Sequence, residues 1–466
     1  MRRLRRSDLA DSRWGGPWLA LAALLGLAAA LRLVGIRYGL PHPLLNPDER
    51  SIVPRAWEMT NGGGADPGWY DYPSFVMYLL APFESRYDEP SYLAARVVAV
   101  ALGLAGVAAA WWLGTKAYGI VAGFVAAAAT AVATTHVAYS RMAVTDVPLT
   151  LGVTAALALM CAGRIELAGI AVGLATSAKY PGLLLLAPLL AVAWGRWRQF
   201  AVACGLAVLA FAVTSPYVIL RFGDAAGDAL RVQRAAREGW LGFEDDHAAP
   251  IAFATRLWDA LGPALLVGVA GLVVALVVRK RADLALATFC LVYFLQLLTV
   301  DAHFDRYILP LVPALGALAG RFRALAPVTA LLLVIPLTWS IRDTRELTKT
   351  DARVEAHEWI TENLPRGSTL AVDPSLPNFD GFRLVHLRLP RPGEPFDMNR
   401  DVRRLRRAGV DYVVLTGAVE DRVLAAADHY PRETGFVNET RRTGRRVYRL
   451  APDRRFGGHW VEVFRL

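Results

Sequence analysis

PWLALAALLGLAAALRLVGI, residues 17–36, carries a single charge, Arg32, in a run that is otherwise apolar or small. A bilayer core about 30 Å thick takes roughly 20 helical residues, so this stretch has the length and chemistry of a membrane span. Working outward, comparable runs lie near 92–113, 119–138, 146–163, 166–178, 181–195, 199–217, 257–278, 284–300, 307–320 and 324–341, which makes eleven with the first. The run at 166–178 is the weakest, being short and ending at Ser177, Lys179 and Pro181. Composition agrees: 55% of the 466 residues are hydrophobic and the mean hydropathy is +0.34, which points to lipid as the solvent. From about Arg342 onward the chain is instead dense in Arg, Asp and Glu. The sequence therefore predicts a polytopic α-helical membrane protein of about 11 spans over residues 1–341. A small C-terminal α/β soluble domain is expected over 342–466.

The net charge of +10 does not indicate nucleic acid, because the arginines fall in short clusters between apolar runs. That is the pattern of cytoplasmic loops under the positive-inside rule. Cys161, Cys204 and Cys290 lie inside apolar segments without close spacing, which supports neither a disulfide framework nor a zinc site. The opening MRRLRRSDLADSR with its apolar run is signal-like, but the run is long and lacks a clear cleavage site, so an uncleaved first span is expected. With MRRLRR cytoplasmic, Lys116, Arg164, Arg196 with Arg198, Arg279 to Arg281, and Arg321 with Arg323 all fall on the cytoplasmic side. An odd number of spans then puts the C-terminal domain outside. Within it, 351–363 has helical periodicity, with Val354, His357, Trp359 and Ile360 as inner-face candidates. The segments LPRGSTLAVD and GVDYVVLTG lead into strands.

The outward connections differ in kind. They are long loops at about 37–91 and 218–256, and turns at Tyr139–Thr145, Lys179–Pro181 and Asp301–Arg306. Long polar loops in a membrane protein commonly carry function. LLNPDERS, residues 44–51, sets Asp48 and Glu49 side by side after Pro47. Such a carboxylate can take the proton from an attacking hydroxyl, or Asp48 can simply cap the following helix. Asp146 lies in YSRMAVTDVPLT with Arg141 five residues earlier, and an acid at a membrane boundary can be solvated, capping or functional. Lys179 in TSAKYPG and His303, Arg306 and Tyr307 in DAHFDRYILP complete the group. Singly these residues can just reach toward the interface; together they can stabilise a departing lipid phosphate. Topology was assigned from other residues, yet Asp48, Asp146, Lys179 and Arg306 all emerge on one face.

NPDER in the first loop, SRMAVTDVPLT at the fourth span, GLATSAKYPGLLLL and DRYILPLVPALGALAG together resemble the GT-C superfamily. The similarity is to its dolichyl-phosphate-mannose protein mannosyltransferase and aminoarabinose transferase group. It covers the membrane region, and AHEWITENLPRGSTLAVD resembles the start of the soluble domain in bacterial members. The resemblance implies a multi-pass cell-membrane glycosyltransferase with a polyprenyl-phosphate sugar donor, inversion at the anomeric carbon, and a protein, glycan or lipid acceptor. It implies Asp48 as the catalytic acid of the first loop, Asp146 as the second acid and Arg141 as the arginine before it. It implies no cofactor, although the two acids have the chemistry to hold a divalent metal. One departure is plain: Tyr72, in WYDYPSFVMY, stands where aminoarabinose transferases place a phosphate-binding lysine. The competing readings are a transporter or flippase of a lipid-linked sugar, without visible inverted repeats, and a silent scaffold with an outer binding domain.

Overall fold

The structure, a computed structural model, describes residues 15–466. The basic stretch that anchors the expected orientation, residues 1–6, lies outside the described residues. Each of the eleven apolar runs contains helix. Four helices are long and apolar enough to cross a membrane: Gly16–Leu33, Tyr92–Tyr118, Trp197–Thr214 and Arg323–Glu346. The pair Ala249–Leu261 and Ala264–Val278, bent by 118°, would make a fifth. The other runs form shorter helices such as Asp146–Cys161 and Ile165–Ala178, so among the described residues four or five of the eleven runs qualify as crossings by length and composition alone. The chain is a multi-pass membrane protein on these helices. An apolar helix at Phe75–Glu84, within the first long loop, was not among the expected runs.

The helices approach closely because small residues line their contacts. A Cβ at Gly169 would run into the carbonyl of Ala203, and one at Gly123 into Thr115. The lone arginine of the first span has a structural explanation. Helix breaks at Ala133, between Ile120–Val132 and Thr134–Tyr139, leaving carbonyls without helical donors. Arg32, fully buried, donates to the carbonyls of Thr130 (3.2 Å) and Ala131 (3.0 Å) and meets His136 Nδ1 at 2.9 Å. In an apolar setting such carbonyls are costly unless paired, and the guanidinium pairs them.

The expected boundary between 341 and 342 falls inside the helix Val334–Glu346, and Arg141 donates to Thr344 within it. The α/β region begins at Thr350. Helix Ala352–Asn363 forms where its periodicity predicts it; Ile360 faces the core with Ala356, while Val354, His357 and Trp359 are half-buried. The sheet runs in the order Arg383–His386, Thr369–Val372, Tyr412–Thr416, Val461–Arg465, Arg445–Leu450. The first three strands are parallel and the last two antiparallel. Three arginines hold this region to the two long loops through main-chain carbonyls. Arg50 donates to Leu376 (3.3 Å), Arg353 to Leu44 (3.1 Å) and Arg422 to Leu241 (3.2 Å).

Candidate active site

Pro47 forces the preceding residue into extended backbone, and Asn46 accordingly has φ −149° and ψ 132°. Its side-chain oxygen accepts from the Asp48 amide at 2.9 Å, so Asn46 caps the helix Pro47–Glu58. Asp48 is therefore not the cap. Sitting in the first turn, its Oδ2 accepts from Arg306 Nη1 at 2.8 Å and from the Tyr72 hydroxyl at 3.0 Å. Burial, reinforced by the Asp48 charge, lifts the Tyr72 phenol well above its usual range, so this hydroxyl stays a donor.

Asp146 opens the helix Asp146–Cys161, and its Oδ1 accepts from Lys179 Nζ at 2.7 Å. The break in helix after Ala178, with Lys179 extended before Pro181, turns that ammonium toward it. Lys179 also lies 5.3 Å from the ring centre of Tyr72 and 5.2 Å from that of Tyr307. The guanidinium of Arg306 lies 4.9 Å from the Phe304 ring. Two acid–base pairs, Asp48 with Arg306 and Asp146 with Lys179, thus share a wall of tyrosines. Two polar atoms there are buried without partners among the described residues: Asp146 Oδ2 and Arg306 Nε. The cluster offers two carboxylates, two cations and spare hydrogen-bonding capacity. Among the described residues no group of three His, Cys, Asp or Glu side chains converges to hold a metal.

Five of the eight expected site residues meet here: Asp48, Asp146, Lys179, Arg306 and Tyr307. Glu49 points elsewhere. It is fully buried in a two-pronged pair with Arg96 (2.9 and 2.7 Å) and accepts from the Ala143 amide at 3.1 Å. It thereby ties the loop bearing Asp48 to the turn that precedes Asp146. Arg141 donates through Nη2 to the Leu31 carbonyl and Thr344, and its buried Nε has no partner among the described residues. His303 meets Asp246 at 3.2 Å, beside Arg256 and the Phe253 ring. Tyr72 enters the site as a ligand of Asp48. Tyr139, which donates to Asp305 at 2.7 Å, braces the same loop as Arg306; only their position in connections between apolar runs could have signalled either.

A helical membrane body that holds an acid–cation cluster and continues into a C-terminal α/β region fits a GT-C glycosyltransferase. The chain belongs to Glycosyltransferase family 87, a GT-C family, whose profile matches residues 69–305. Membership decides for a transferase over a carrier or scaffold. No curated protein matches the chain by sequence. Among solved structures, the fold is similar to that of ArnT from Cupriavidus metallidurans bound to undecaprenyl phosphate. The TM-score is 0.58 at 16% identity, over 97% of this chain and 98% of that one. It is also similar to the archaeal oligosaccharyltransferase AglB from Archaeoglobus fulgidus, in complex with an inhibitory peptide and a dolichol-phosphate. There the TM-score is 0.60 at 13% identity, over 97% of this chain and 74% of that one.

Proposed function

We propose that this glycosyltransferase takes its sugar from a polyprenyl-phosphate donor and transfers it, with inversion, to an acceptor hydroxyl on the outer face of the membrane. The observation that carries the reading is the Asp48–Arg306 pair at 2.8 Å, set against Lys179–Asp146 at 2.7 Å. The solved relatives in fold were captured with undecaprenyl phosphate and dolichol-phosphate, which supports the same donor chemistry here. In this reading the donor phosphate competes for Arg306 and draws it from Asp48. Arg306 Nε and Lys179 then hold the phosphate oxygens, with Tyr307 beside them. The acceptor oxygen attacks the anomeric carbon opposite the phosphate, Asp48 takes its proton, and the sugar–phosphate bond breaks. The lipid phosphate departs with its bonding electrons, and the cations stabilise the added charge. Tyr72 keeps the Asp48 carboxylate in place after Arg306 has left it. Asp146 orients Lys179 and offers Oδ2 to a sugar hydroxyl. Arg141, Glu49 and His303 support the walls.

The same reading has the eleven apolar runs as crossings, in the region 1–341, with the N-terminus cytoplasmic and 342–466 outside. Protease added to intact cells should then reach the C-terminal region. The chemistry is tested by incubating the purified protein with a radiolabelled polyprenyl-phosphate sugar and measuring label release. Wild-type release with none from Asp48→Asn is expected. Release undiminished in Asp48→Asn would remove Asp48 as the base, and movement of intact lipid-linked sugar without cleavage would point to a carrier.

A further inference from the structure

A cavity lies away from the acid–cation cluster, in the α/β region. It encloses about 500 Å³ between the segment 388–397, Arg400, residues 429–433 and Glu244 of the second long loop. That is the size of a small-ligand site. Its position follows from the sheet. The strand Thr369–Val372 connects outward to Arg383–His386, and the chain then returns to Tyr412–Thr416 on the other side. The carboxyl ends of parallel strands at such a reversal are where open α/β sheets bind ligands. The loop following His386 forms the cavity wall.

The charges lining it are unevenly committed. Three of its four carboxylates are occupied, and the fourth, Glu433, has no ion pair among the described residues. Glu244 accepts from the Tyr430 hydroxyl at 2.6 Å and the Gly242 amide at 2.7 Å. Asp397 accepts from the amides of Arg388 (2.8 Å) and Asn399 (3.0 Å), and Glu394 sits 3.7 Å from Arg391. Two arginines keep donors to spare. Arg432 stacks over the Phe396 ring at 3.9 Å and has no ion pair among the described residues. Arg400, almost wholly buried, binds Glu420 through Nη1 at 3.0 Å but leaves Nη2 without a partner. The unpaired donors of Arg432 and Arg400, beside Phe396 and Tyr430, suit a ring-bearing ligand with an anionic group. The cavity also adjoins the transfer site along the chain. Glu244 is two residues before Asp246, which holds His303, and His303 is three before Arg306.

We propose that this cavity receives an acidic saccharide, bearing a carboxylate or a phosphate, as part of the sugar acceptor. The acceptor role rests on the glycosyl-transfer reading; the binding does not. The test is calorimetry on the full chain in detergent with three probes: trigalacturonate, glucose 6-phosphate and neutral maltotriose. At least one anionic probe should bind ten times more tightly than maltotriose and lose at least tenfold in Arg432→Gln. Which of the two binds distinguishes carboxylate from phosphate. Asp48→Asn should bind that probe as wild type does, so the cavity is judged apart from the chemistry at Asp48. Anionic probes no better than maltotriose, or binding unaffected by Arg432→Gln, would overturn the proposal.

Discussion

Glu49→Gln separates support from chemistry at two neighbouring acids. Glu49 and Arg96 are both fully buried, and the substitution leaves the guanidinium without its counter-charge. Breaking a buried pair from one side costs about 3–5 kcal/mol. Arg96 retains the carbonyls of Ile36 (2.9 Å) and Tyr38 (2.8 Å), which puts the loss at the lower end, about 3 kcal/mol. For a chain of 466 residues the unfolding entropy is about 1 kcal/mol per degree, so the melting temperature should fall by about 3 °C. Arg96→Gln should also destabilise, and the double variant should cost less than the sum of the two. Melting in detergent, followed by loss of soluble protein, measures all four forms. At a temperature where Glu49→Gln remains folded it should keep transfer within about tenfold of wild type, whereas loss of a general base costs about 10²–10⁴-fold. A Glu49→Gln protein that melts like wild type yet has lost transfer would refute this reasoning and move Glu49 into the chemistry.

Asp48→Asn should drop label release at least about a hundredfold, because it removes the base. It keeps the bond to Tyr72 but loses the charge paired with Arg306, so its melting temperature should fall by no more than the roughly 3 °C expected of Glu49→Gln. Arg306→Ala should weaken donor use by about 2 kcal/mol, roughly thirtyfold in KM for the lipid phosphate, read by titrating the labelled donor. Burial pushes the Glu420 carboxyl from 4.5 up to about 7, against the pull of Arg400 and with the charge of Asp373 adding to the rise. The folded state then holds a proton that the unfolded state has released, so this contribution is present below pH 4.5 and lost as pH rises through 7. Hydrogen-exchange protection of the strand Tyr412–Thr416 should therefore fall between pH 5 and 8 in wild type, and less steeply in Glu420→Gln. Ending the chain after Ile341 cuts the helix Val334–Glu346 and strands Arg141, so it should abolish stable expression. Ending it after Lys349 should retain donor hydrolysis, as followed by label release.

The helices were legible because apolar runs in a membrane protein leave little else for the backbone to do. Their number as crossings was not, because short helices such as Leu311–Gly320 and the bent pair at Gly262 depart from one straight helix per run. At the site, counting faces along the chain brought Asp48, Asp146, Lys179 and Arg306 to one side, and the structure joins them in two pairs. Counting faces gives no direction for a side chain. Glu49, adjacent to Asp48, turns inward to Arg96, and Arg141 caps a carbonyl of the first span. Tyr72 looked like a missing lysine; in the fold, a lysine from elsewhere in the chain, Lys179, lies over its ring. The α/β region was read from GVDYVVLTG and the 351–363 helix. Its cavity was hidden in an arginine- and proline-rich loop with no periodicity.

The three arginines that hold the α/β region to the two long loops address peptide oxygens at Leu376, Leu44 and Leu241 and ignore the side chains that follow them. Every residue type supplies the same oxygen. Mutations at Leu376, Leu44 or Leu241 therefore leave these three ties in place, whereas in the cavity wall the tie between Glu244 and Tyr430 does depend on side chains.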